Sequence, residues 1–336
     1  MTTLTTEVAI IGAGISGCLT ANLLNESGID CYLIEKSRGL GGRCSRRRVE
    51  DYGIDLGAPD FSIEGIENGL LINRVNSWVE AGYLSAWYKK TGRFNNLDKT
   101  ETTKTLCASP SMNSLHKKLT TNIKSLTNLK VHALKKENDY WLLLDEDDKL
   151  IIKASKVIIT SPAEQAFDLL KDFDGFSACE TISNKSLPQY VCAISFNESL
   201  KINADVYLDG HPIVKSAIRE SSKPERTSTK LLDETWVLHS THEWAQKHAS
   251  AKSQEVAIHL AKAFCKHFRI EAKPLILTSH YWRLARHEVS ESQDCNFIWN
   301  DSLQIGCCGD WLDSGDISGA LNSSFALSQK LLPMYK

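Results

Sequence analysis

The chain has 336 residues, 42% of them hydrophobic and 24% charged, which suits one large or two intertwined globular domains with a true core. Lys plus Arg number 39 and Asp plus Glu 41, for a formal net charge of −2. That balance argues against a nucleic-acid or membrane-surface partner, so neither is expected.

The opening Met1–Thr6 shows no basic run followed by an apolar stretch and a cleavage site, so a cytoplasmic location is expected. Glu7–Ile11 is a short apolar run ending in glycines, a buried strand. Ile15–Asn25 carries Ile15, Cys18, Leu19 and Leu23 at helical spacing, and Cys31–Ile34 is a second strand. The three make a β-α-β unit. A Gly- and Arg-rich loop at residues 38–57 leads into a hairpin. A helix is predicted over Gly69–Glu80, a strand over Tyr83–Phe94, a short apolar piece at Leu106–Ala108 and a helix over Met112–Thr120. Strands are expected at Leu129–Leu134, Tyr140–Leu144, Leu150–Ile152 and Val157–Thr160, separated by polar turns.

The character changes after Leu187. Strands at Tyr190–Phe196, Ile213–Ile218 and Thr235–Ser240 surround a polar loop at Ser221–Lys230 and precede a helix over Ser253–Phe268. Strands at Leu275–Trp282 and Leu303–Cys308 and a helix over Ile317–Leu332 follow. The expected class is α/β: a Rossmann-like dinucleotide-binding domain with an inserted mixed, mostly antiparallel β substrate domain. Residues 1–60, about 100–165 and 285–336 fall to the first; about 61–99 and 166–284 fall to the second.

Gly12-Ala13-Gly14-Ile15-Ser16-Gly17 follows a strand, opens a helix, and has Glu35 closing the next strand. The glycines permit a tight turn and close approach of backbone N–H groups to a pyrophosphate, and the helix N-terminus favours its charge. Glu35 is suited to accept hydrogen bonds from the adenosine ribose. Arg38-Gly39-Leu40-Gly41-Gly42-Arg43 then resembles the amine-oxidase-like flavoproteins, in which this element extends the phosphate cradle and the arginine offsets its charge. Ile54-Asp55-Leu56-Gly57-Ala58 matches their segment beside the flavin. Ile305-Gly306-Cys307-Cys308-Gly309-Asp310 resembles their second fingerprint, with Asp310 placed for a ribityl hydroxyl and the helix from Ile317 aimed at the flavin. These motifs imply that the Rossmann-like domain is an FAD-binding one of the glutathione-reductase-like type; the cofactor candidates are Gly12, Gly14, Ser16, Gly17, Glu35, Lys36, Gly42 and Arg43, then Gly57, Ala58, Pro59, Val131, Asp310 and Ile317. The ten cysteines contain no C-x-x-C pair, and His239 and His242 have no carboxylate or Cys partner at ligand spacing, so no metal site is expected. Cys307 and Cys308 read as small packed residues rather than a flavin tether, so the FAD is expected to be non-covalent.

Three inner segments resemble the renalase family, a branch of the amine-oxidase flavoproteins. These are Ser161-Pro162-Ala163-Glu164-Gln165, Ala217-Ile218-Arg219-Glu220-Ser221-Ser222-Lys223-Pro224-Glu225-Arg226, and His280-Tyr281-Trp282-Arg283-Leu284-Ala285. The chain departs from that family at Pro59-Asp60, Tyr281 and Glu225. The resemblance implies oxidation of misreduced dihydronicotinamide dinucleotides, isomers of NAD(P)H, to NAD(P)⁺, with O2 as acceptor and hydrogen peroxide as product. Trp282 is the expected wall of the substrate pocket, and Arg219, Lys223 and Arg286 are candidates to meet the substrate. An amine is the alternative substrate, and a catalytically silent flavoprotein sensor is the second alternative.

Overall fold

The computed structural model describes residues 4–49, 52–226, 232–288 and 296–335. In chain order the first part holds β1 (Thr5–Ile11), α1 (Ile15–Glu26), β2 (Cys31–Ile34), the hairpin β3 (Arg46–Val49) and β4 (Tyr52–Asp55), α2 (Gly69–Glu80), β5 (Leu84–Arg93) and β6 (Asn96–Ala108). The middle holds α3 (Ser114–Leu119), β7 (Lys124–Leu126), β8 (Ala133–Glu137), β9 (Tyr140–Leu144), β10 (Leu150–Ile159), α4 (Ala163–Leu170), α5 (Ser177–Ser183) and β11 (Ser186–Phe196). Then come β12 (Val206–Leu208), β13 (Val214–Arg219), β14 (Glu234–Ser240), α6 (His242–Lys247), α7 (Ser253–Phe268), β15 (Ile276–His287), β16 (Phe297–Asn300), β17 (Ile305–Cys308) and α8 (Ile317–Leu331).

Two sheets carry the molecule. The first has the order β16-β17-β10-β1-β2-β7, with the β8–β9 pair attached to β10. β1 is parallel to both β2 and β10, and β10 is parallel to β17. Central parallel strands are covered on both faces, which is why Val8–Ile11 and Val157–Ile159 are continuous apolar runs. α1 packs on α8 on one side of this sheet, joining the two ends of the chain. The Rossmann-like half therefore has the expected class.

The second sheet has the order β15-β11-β14-β13-β12-β5-β6 and is antiparallel apart from β12 against β5. Alternation along β11 splits it between two cores. Cys192, Ile194 and Phe196 pack under Val256, Leu260 and Phe264 of α7, while Val191 and Ala193 join Val237, Ile54 and Leu56 on the opposite face. That second face presses on β4, so the substrate-side sheet is seated directly against the segment expected beside the flavin.

Several elements differ from the sequence expectation. Of the strand expected at Leu129–Leu134 only Ala133 and Leu134 are strand, as the start of β8; the residues before them form a loop after β7, in which Asn128 and Leu129 spend their N–H groups on Ser37 O and Glu35 O. Leu150–Ile152 and Val157–Thr160 are parts of one strand. β6 extends 13 residues, and only its last three were apolar enough to stand out; it pairs with β5, so residues 100–108 sit in the second sheet and not with the nucleotide part. α4, α5, α6, β7, β12 and β16 have no counterpart in the sequence reading. Of the loop expected at Ser221–Lys230, residues 227–230 lie outside the described residues. Among the described residues no helix is long and apolar enough to cross a membrane.

Candidate functional site

The glycine turn is built by exclusion of side chains. A Cβ on Gly17 would lie 2.0 Å from Gly12 O, and one on Gly12, which has φ of 108°, would lie 2.9 Å from Thr160 Oγ1. Thr160 at the end of β10 donates to Gly12 O at 2.9 Å, locking the turn to the neighbouring strand. Gly14 differs: nothing lies within 4 Å of the position its Cβ would take. The open space thus begins at Gly14, at the N-terminus of α1. Gly42 closes on it from the other side, since a Cβ there would be 3.2 Å from Gly14 Cα, and Gly41 N donates to Ala13 O at 2.9 Å.

Glu35 is buried at the tip of β2. Its Oε2 accepts from Ala13 N at 2.9 Å and its Oε1 from Ser37 N at 2.8 Å, which fixes the carboxylate beside the turn. Each oxygen keeps acceptor capacity beyond these single bonds. Lys36 is exposed and bonds Gln165 Oε1 at 3.0 Å. Val131 is buried against Ile34 and Ile11 in the core beneath this end. The Ser16 hydroxyl donates to Ala320 O at 3.1 Å and ties α1 to α8.

At the other end of the opening Arg43 and Asp310 form a bidentate pair, with Nη1–Oδ2 at 2.8 Å and Nη2–Oδ1 at 2.5 Å. Burial alone would raise the Asp310 carboxyl, but Arg43 outweighs it and holds it below the usual carboxylate range. Asp310 follows β17, and Gly309 N is held by Ser323 Oγ at 2.8 Å, so α8 and the carboxylate are one unit. Ile317 opens α8, whose cap is Asp316 accepting from Gly319 N at 3.0 Å. Gly57 is forced by the same neighbourhood, because a Cβ would lie 1.9 Å from Arg43 O; Ala58 N donates to that oxygen at 2.9 Å. Pro59 follows, half-buried. Cys307 and Cys308 are fully buried in β17, and burial pushes the Cys308 thiol up to about 12.

On the substrate side Trp282 donates from Nε1 to Leu56 O at 2.6 Å and meets the His280 ring edge-on at 4.4 Å. Residues paired across strands share a face, so His280 of β15, Val191 of β11 and His239 of β14 form one row turned toward β4. Burial, then Lys223, pushes the His239 imidazole down to about 4. Arg47 of the hairpin donates to Ser279 O at 3.1 Å beside this row.

The family profile described as an NAD(P)-binding Rossmann-like domain matches residues 10–63. A zeta-carotene-forming phytoene desaturase of Myxococcus xanthus is 39% identical over 51 residues, 15% of this chain and 10% of that one. The chain thus matches about a tenth of the length of such curated relatives. Solved structures align over the whole molecule: cyclohexylamine oxidase from Brevibacterium oxydans IH-35A, with a TM-score of 0.75, 11% identity and coverage of 98% and 99% of the two chains. A putrescine oxidase bound to putrescine gives 0.72, 10%, and 99% and 100%. The chain shares the fold of these two amine oxidases.

Within this amine-oxidase fold the three remaining candidates separate. Lys223 is buried in an ion cluster, 2.6 Å from Glu220 Oε2 and 3.6 Å from Asp55 Oδ2; Arg226 completes it at 2.6 Å from Asp55 and 3.1 Å from Glu220. Arg219 points to the far face of the second sheet, where it stacks on Trp236 at 5.0 Å and pairs with Asp205 and Glu234. It lies away from β4, so a substrate contact there is corrected. Arg286 is exposed on β15, near the end of that strand. Alternation along the strand, which decides the face, was the signal available for Arg219.

Sequence reasoning gave no role to several charged groups around this site. Asp60 and Lys89 form a 2.7 Å pair of half-buried groups just after Ala58, joining the flavin-side segment to β5. Asp55 anchors the buried cluster and also takes Met112 N on both oxygens at 3.2 Å. His287 is buried at the end of β15 beside the Arg43–Asp310 pair. Only their charged types in apolar stretches marked them. Among the described residues no group is arranged to hold a metal ion.

Proposed function

We propose that the chain is an oxidase that binds FAD non-covalently and passes electrons from a small organic substrate to O2. One observation carries this reading: the open space at Gly14 and Gly42 is bounded by the Glu35 carboxylate at one end and the Arg43–Asp310 pair at the other. These residues fit FAD chemically. Backbone N–H groups at the start of α1 suit the pyrophosphate, as does Arg43; Glu35 has acceptor capacity for ribose hydroxyls, and Asp310 for the ribityl chain. Bound there, FAD supplies a two-electron acceptor that O2 reoxidises with release of hydrogen peroxide. Trp282 positions substrate as a wall, and the neutral His239 and His280 row offers hydrogen bonds without charge.

On substrate, the aligned structures named as cyclohexylamine and putrescine oxidases favour an amine. A neutral, aromatic-edged face suits an uncharged amine. A second reading keeps a specific observation of its own. Arg47 bonds Ser279 O beside His280, where it can meet a phosphate, and the inner segments resemble renalases, which favours a dihydronicotinamide dinucleotide isomer. Anaerobic mixing of the FAD-loaded protein with primary amines and with the 2- and 6-dihydro isomers of NADH separates the two. Bleaching by amines alone supports the first, and bleaching by the isomers alone moves the function to the second. A protein that cannot be loaded with FAD overturns both.

A further inference from the structure

We infer that His287 takes up a proton as FAD binds, so that this chain holds its cofactor more tightly as pH falls. The inference rests on the FAD reading above. The imidazole is 2% exposed, and its Nδ1 has no hydrogen-bond partner. Its Nε2 lies 2.8 Å from Ser186 Oγ, and that hydroxyl is also 3.3 Å from Ser183 O. One hydroxyl proton cannot serve both. A ring proton on Nε2 resolves the conflict: Nε2–H donates to Ser186, Ser186 donates to Ser183 O, and the buried, unpartnered Nδ1 is the atom left to take a second proton and turn it to an anion.

The charges around the ring come from three other elements. Asp310 after β17 and Glu164 of α4 favour the cation, and Arg43 opposes it. Arg283, on the same strand, pairs with Glu164 and dilutes that carboxylate. In the protein alone burial outweighs Asp310, Arg43 adds to its effect, and the imidazole is held below its ordinary value. The charge of Arg43 is already committed to Asp310 through two bonds, and its Nη1 also reaches Ala285 O at 3.3 Å, two residues from His287. A pyrophosphate with two negative charges then enters a site whose fixed acids, Glu35 and Asp310, outnumber its committed cation. Drawing Arg43 toward phosphate weakens its hold on Asp310. Both changes favour a positive ring at His287, and a proton from solvent restores the balance.

The test is titration of the apo-protein with FAD. Calorimetry near neutral pH in two buffers of different protonation enthalpy counts the protons taken up, and flavin fluorescence gives the Kd between about pH 6 and about pH 8. We expect a measurable fraction of one proton taken up by the unaltered protein. Its affinity should weaken at least about fivefold over that range, against a limit of about tenfold per pH unit for one proton. The His287→Gln variant should take up none and bind FAD equally at both ends, close to the unaltered protein at the alkaline end. Zero uptake in the unaltered protein, or the same pH dependence in His287→Gln, overturns the inference while leaving FAD binding intact. Failure to bind FAD at any pH overturns the proposed function and the inference with it.

Discussion

Single residues separate cofactor binding from folding in this protein. Gly14 has ordinary extended dihedrals, φ −72° and ψ −178°, and open space where a Cβ would go. We expect Gly14→Ala to unfold at an unchanged denaturant midpoint yet to lose FAD affinity, because only the cofactor contests that space. Gly17→Ala should lower the midpoint itself, since its Cβ would sit inside Gly12 O. Glu35→Ala removes charge-assisted bonds of about 1.5–3 kcal/mol, so FAD affinity should fall about tenfold to a hundredfold, read by flavin fluorescence. The Arg43–Asp310 pair carries a pH consequence of known sign. The Asp310 carboxyl is held below its unfolded value, so its contribution is present above that value and is lost as pH falls through the folded one. Acid unfolding of Asp310→Asn should be flatter below about pH 4 than that of the unaltered protein. Glu35 and Arg43 were legible because glycine spacing frames them. Lys223 was noticed for its charge but not for its place: a buried quartet with Asp55, Glu220 and Arg226 needs the sheet-to-sheet geometry that no local pattern contains. Lys223→Met should cost about 3–5 kcal/mol in a denaturant titration, the penalty for leaving buried acids short of a cation.

Among the elements, the hairpin β3–β4 is the joint between the two sheets. Ile54 and Leu56 are buried under Val191, Ala193 and Val237, and Trp282 bonds Leu56 O. We expect Trp282→Phe to cost about 1 kcal/mol of stability from the lost hydrogen bond. Turnover should suffer more than stability, because the carbonyl it releases belongs to the segment running toward Ala58. Comparing denaturant midpoint with steady-state kcat checks the two together; equal proportional loss would reduce Trp282 to a packing residue. The central strands of the first sheet, β1, β2, β10 and β17, were legible because burial on both faces demands unbroken apolar runs. β6 was not, since Asp98-Lys99-Thr100-Glu101-Thr102-Thr103-Lys104 is largely wetted and its pairing with β5 is what makes it a strand. Short helices such as α5 and α6 lack the several turns over which a 3.6-residue period emerges.

Across the whole molecule, the first sheet takes strands from both ends of the chain: β1 and β2 come early, β10 from the middle and β17 near residue 308. The order in which these strands appear on the ribosome has a cost in time. The glycine turn and Glu35 emerge first, but Asp310, the Ser323 hydroxyl that holds Gly309, and the α8 surface that covers α1 emerge last. Until then α1 exposes the apolar face that α8 will bury, and the cradle has one wall. A nascent chain stalled before Ile305 should therefore retain no FAD and recruit holdase chaperones. Release of the final helix should make flavin capture and burial of α1 a single late event.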